Sequence, residues 1–169
     1  MKFFIILFIN LTLLYSASAE PLIVAMDSGL REKVFDLETW KAGKSNADVV
    51  KSILEKHGYE SIAITVRHYD KPNVLSIDPD LVVIHASAFH NPLDNNYAYY
   101  KLLSFLNHML PSDANILIYS RGYLPSKSNF LGDIFRSNPY LRGRVRAIVI
   151  STFKGSNKLL LKNVERMID

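Results

Sequence analysis

The sequence predicts a three-layer α/β domain, with a parallel sheet covered by helices on both faces. Three observations lead there. Five short runs are almost continuously aliphatic, whereas a sheet with one face in water alternates polar and apolar residues. Segments with helical spacing separate these runs, the alternation expected of βαβ units. The stretch after residue 19 is about 150 residues long, enough to bury one sizeable core.

Taken in order, Leu22–Met26 is the first strand. Residues 31–41 read as a helix broken by Gly43. A second helix starts at Ser45 or Asn46, puts Val49, Val50, Ile53 and Leu54 on one face, and stops at Gly58. Ile62–Val66 is the next strand, and a turn from Pro72 to Pro79 leads into a third at Leu81–Ile84. Residues 97–110 form a helix with Leu102, Leu103, Phe105, Leu106 and Met109 inward. Ile116–Tyr119 is the fourth strand, Phe130–Arg136 a shorter helix, Ala147–Ile150 the fifth strand, and Asn157–Met167 the last helix. Right-handed crossovers and this length favour strand order 2-1-3-4-5, the flavodoxin-like arrangement.

Residues 1–19 carry a different signal. Lys2 is followed by an apolar run from Phe3 to Tyr15 and by Ala17-Ser18-Ala19, a small-residue cleavage site before Glu20. This is the pattern of a secretory signal peptide. The run falls short of the roughly 18 to 20 apolar residues of a membrane helix, and no later segment approaches that length. The expectation is a periplasmic or secreted domain, residues 20–169, with no transmembrane segment after cleavage. Removing the leader takes Lys2 and lowers the formal charge from +4 to +3. The remaining Lys and Arg are scattered, which argues against a nucleic-acid partner. With no cysteine, the chain has neither disulfides nor thiolate chemistry.

Ligands of open α/β sheets bind outside the carboxyl ends of the strands, at the switch point between the first and third. Polar groups stand at all five ends: Asp27 and Ser28, Arg67 and His68, His85 and Ser87, Ser120 and Arg121, then Ser151 and Thr152 with Lys154. Asp27, Ser28, His85, Ser87, Ser120, Arg121 and Lys154 are therefore the candidate ligand-binding residues. Arg121 is best suited to grip an anion, because its planar fork matches a carboxylate or phosphate. The partner expected is a small anionic ligand or a protein.

Leu22-Ile23-Val24-Ala25-Met26-Asp27 resembles the first strand of response-regulator receiver domains, and Pro79-Asp80-Leu81-Val82-Val83-Ile84-His85 resembles the strand ending in their phosphoacceptor aspartate. Ile116–Ser120 is similar to their fourth strand with its terminal Thr or Ser, and Lys154 lies near their fifth-strand lysine. The departures fall on the chemistry. Position 85 is histidine, Met26-Asp27 replaces the paired acids that hold magnesium, and Lys154 is followed by Gly155. One carboxylate beside a histidine is a poor magnesium site. The resemblance implies a degenerate receiver-like scaffold kept for binding, without cofactor or phosphotransfer.

An alternative uses the same strand ends as a hydrolase, with Ser28 or Ser120 as nucleophile, His85 or His68 as base and Asp27 orienting the base. No Gly-x-Ser-x-Gly elbow accompanies these residues. A metal site would draw on His85, His90, His68, Asp27 and Asp94, but His85 and His90 have no recognised ligand spacing, so no metal is expected. His57 and His108 lie on helices and read as surface or boundary residues. Tyr97, Tyr99 and Tyr100 read first as packing, Trp40 as an anchor, and Arg142, Arg144 and Arg146 as a solvated turn on the edge opposite the site.

Overall fold

A computed structural model describes residues 20–28, 45–66, 72–89, 97–120, 127–150 and 153–169. Its elements are β1 (Leu22–Ser28), α1 (Asn46–Glu55), β2 (Glu60–Val66), β3 (Leu81–His85), α2 (Tyr97–His108), β4 (Asn115–Ser120), α3 (Lys127–Ser137), β5 (Val145–Val149) and α4 (Phe153–Ile168), with a short 3-10 turn at Pro139–Leu141. The five strands form one sheet in the order β2-β1-β3-β4-β5, and every pairing is parallel. This is the flavodoxin-like topology expected from the sequence. The helix read over residues 31–41 lies outside the described residues.

Strand alternation sorts the core into two layers. Val24, Met26, Val82, Ile84, Ile116 and Ile118 point to one face and pack with Leu102, Phe105 and Leu106 of α2 and Phe130 and Ile134 of α3. Ile23, Ala25, Leu81, Val83, Leu117 and Tyr119 point to the other, against Val50, Ile53 and Leu54 of α1 and Leu160, Leu161 and Val164 of α4. Each large aliphatic side chain buried this way contributes about 1.5–3 kcal/mol. The three central strands are accordingly buried almost throughout, while the edge strands β2 and β5 leave Ile62 and Val149 partly in solvent.

The helix α1 shows how local sequence sets the boundaries. The Ser45 hydroxyl accepts the Asp48 N–H, and the Asp48 carboxylate accepts the Ser45 N–H, a reciprocal capping box. At the other end the Gly58 N–H reaches the Glu55 carbonyl and the Tyr59 N–H reaches the Leu54 carbonyl. That is the Schellman closure, and it requires the left-handed backbone Gly58 adopts at φ 86°.

Several boundaries differ from those read in the sequence. β1 continues through Asp27 and Ser28, and β3 through His85, so these polar residues sit within the ladder instead of after it. β5 begins at Val145 and ends at Val149, with the Ile150 N–H closing onto the Ser120 carbonyl at 2.8 Å. The helix α4 starts at Phe153, four residues early, which puts Lys154 in its first turn and not in a loop. The basic turn is also corrected. Arg144 is half-buried, and its guanidinium donates to the carbonyls of Ala114 and Pro111, closing the entry to β4, while Arg142 and Arg146 are exposed.

Candidate functional site

The carboxyl edge of the sheet gathers its polar side chains by register. Met26 pairs with Ile84, Ile84 with Ile118, and His85 with Tyr119, so the next residue of β1, Asp27, stands beside His85. Period-two alternation then assigns faces. Asp27, His85 and Tyr119 follow Ala25, Val83 and Leu117 onto the face covered by α1 and α4, whereas Ser28 and Ser120 follow Met26 and Ile118 to the opposite face. All five are buried, Asp27 and Tyr119 completely.

A buried carboxylate is costly unless its oxygens are bonded. Asp27 meets that demand with short bonds. The Tyr119 hydroxyl donates to Oδ2 at 2.7 Å, and the backbone N–H of Ser28 donates to Oδ1 at 2.6 Å. Nδ1 of His85 lies 3.7 Å from Oδ1, too far for a hydrogen bond but close enough for electrostatic coupling. The imidazole also stands edge-on to the Tyr119 ring, with centroids 5.0 Å apart and planes at 72°. Its Nδ1 accepts the Ser87 N–H at 3.1 Å, and the Ala88 N–H reaches the His85 carbonyl at 2.9 Å.

The structure thus brings Asp27, Ser28, His85, Ser87 and Ser120 to one edge. Arg121, His68, His90 and Asp94 lie outside the described residues, as does Trp40. Lys154 is described only through the backbone of α4. Tyr119 is the residue that sequence reasoning counted only as strand. Its signal was present: a tyrosine ending an aliphatic strand needs a partner for its hydroxyl once the ring is buried. Elsewhere, Tyr99 packs against Phe130 and donates to Asp133 at 3.1 Å, as the packing reading anticipated, and Tyr100 is exposed.

Among the described residues no three His, Asp or Glu side chains cluster to hold a metal ion, and no helix is long and apolar enough to cross a membrane. Compared with protein-family models, curated proteins and solved structures, the chain matches none of them.

Proposed function

We propose that this chain is an exported binding or interaction module on a degenerate receiver-like scaffold, taking a small anionic ligand or an anionic group of a protein at the carboxyl edge of its sheet. One observation carries the reading: a completely buried carboxylate, Asp27, is maintained by Tyr119 at the switch point between β1 and β3. An apolar residue there would cost less, and ionisable groups buried at such an edge concentrate at functional sites. Ser87 and His85 line the same edge, with Arg121 as the proposed anion fork and Lys154 as a second cation. Export is supported by the pattern of residues 1–19.

The hydrolytic alternative has weaker support. A triad needs the imidazole to donate from the nitrogen facing Asp27, yet Nδ1 accepts the Ser87 N–H, and Ser28 and Ser120 follow their strands to the other face.

Calorimetry with sulfate, phosphate and short carboxylates tests the site. Arg121→Ala should abolish binding without lowering the melting temperature. Failure of all these anions to bind the wild type at millimolar concentration would remove the anion proposal. Intact mass of the exported protein tests the leader, with a mature start at Glu20 expected.

A further inference from the structure

His85 ends β3 and begins a turn that its own ring closes. The Ala86 N–H is committed to the Tyr119 carbonyl at 2.8 Å, and the Ala88 N–H to the His85 carbonyl at 2.9 Å. The next donor, the Ser87 N–H, has the imidazole Nδ1 as its acceptor, at 3.1 Å. That bond fixes the tautomer. An N–H donates only to a bare ring nitrogen, so the neutral ring carries its proton on Nε2.

On the other side of the same nitrogen lies Oδ1 of Asp27, 3.7 Å away. Among the described residues, two groups beside Nδ1 therefore make opposite demands on it. The Ser87 N–H requires it bare; the Asp27 carboxylate favours it protonated. We infer that His85 is a two-position pH latch for the edge site: neutral, it holds the Ser87 amide; protonated, it turns to Asp27 and releases that amide.

The step balances simply. One proton from solvent adds to Nδ1 and Nε2–H is kept, giving the imidazolium. Two donors then face each other at Ser87, and that bond breaks. The new Nδ1–H closes on Oδ1 of Asp27, which needs a shift of about 0.9 Å to reach charge-assisted hydrogen-bond distance. Two ionisable side chains face the ring, Asp27 on β1 and Tyr119 on β4. The buried side chains of α1 and α4, which cover this face, add none: Asn46, Ala47, Val50, Ile53 and Leu54 from the first, and Leu160, Leu161, Asn163, Val164 and Met167 from the second.

The released Ser87 N–H becomes a donor at the edge, and the cluster gains a positive charge. Acidification thereby favours an anion there. This consequence rests on the proposed site, whereas the latch itself does not.

Nuclear magnetic resonance on the 15N-labelled protein, without ligand, reads the latch directly. At neutral pH the His85 ring should show the Nε2–H tautomer. As pH falls, the ring and the Ser87 amide should titrate along one curve, and the protection of that amide should drop roughly three- to tenfold, the worth of one net hydrogen bond. Asp27→Asn should move the shared transition to lower pH. A proton on Nδ1 at neutral pH, a Ser87 amide that stays fixed while the ring titrates, or a ring that remains neutral until acid unfolding would each overturn the inference. Adding anions at low pH separates it from the site reading. A titrating amide that none of sulfate, phosphate and short carboxylates perturbs retires the anion site and upholds the latch.

Discussion

Tyr119→Phe isolates the bond on which the edge cluster depends. The substitution removes one oxygen and leaves the ring, so the packing against Leu117 and His85 is kept and no cavity opens. What is lost is a 2.7 Å bond to a carboxylate oxygen. Hydrogen bonds to charged groups are worth about 1.5–3 kcal/mol, and water cannot replace this donor readily, because Asp27 and Tyr119 are both fully buried. The expected loss is therefore about 2 kcal/mol, or roughly 4–8 °C in melting temperature for a domain of this size.

A second background converts the loss into a pair energy. In Asp27→Leu the carboxylate is gone, and the Tyr119 hydroxyl becomes a buried donor without its acceptor. Removing it by Tyr119→Phe should then be neutral or stabilising, giving a coupling of about 2 kcal/mol across the cycle. Urea unfolding at pH 7 measures all four proteins, provided the denaturant slope stays constant. A cost below about 0.5 kcal/mol for Tyr119→Phe in the wild type, or the same cost in both backgrounds, would refute the assignment of the buried bond.

Three further outcomes follow from other contacts. Arg144→Lys should destabilise by about 1–2 kcal/mol in the same urea assay, since an ammonium cannot fork to the carbonyls of Ala114 and Pro111 as the guanidinium does. Ser45→Ala should cost about 1 kcal/mol by opening the α1 capping box, with Thr at the same position recovering most of it. Burial, and then the hydrogen bond to Asp133, push the Tyr99 phenol up to about 12. Because that value is raised, the stability tied to the neutral phenol is complete below the ordinary tyrosine range near pH 10 and is lost as pH rises toward 12. Tyr99→Phe should flatten the alkaline fall in stability and remove a late tyrosinate step from the ultraviolet titration.

The elements legible in the sequence are those whose burial is set by local pattern. β1, β3 and β4 read as continuous aliphatic runs because both their faces are covered, and α1 announces itself through Ser45, Asp48 and Gly58. Polar letters hid the ends of these elements. Asp27 and His85 looked like loop residues, yet a ladder bond is made by backbone and continues wherever the side chain finds partners. Gly155 and Ser156 concealed the start of α4 in the same manner.

What the sequence withheld is the pairing of polar atoms over distance. Arg144 looked like one member of a solvated basic turn, and its acceptor at Ala114 is 30 residues away. Tyr119 looked like one more strand residue, and Asp27 is 92 positions from it. Periodicity assigns a side chain to a face but says nothing of which polar group arrives opposite. Here the arrival is dictated by register, since β3 lies between β1 and β4 and fixes both. A one-residue slip of β1 would send Asp27 to the face of α2 and α3 and leave the Tyr119 hydroxyl without its acceptor. The buried pair that organises the edge is therefore also a constraint on how the central strands align, so the site and the sheet that carries it are specified together.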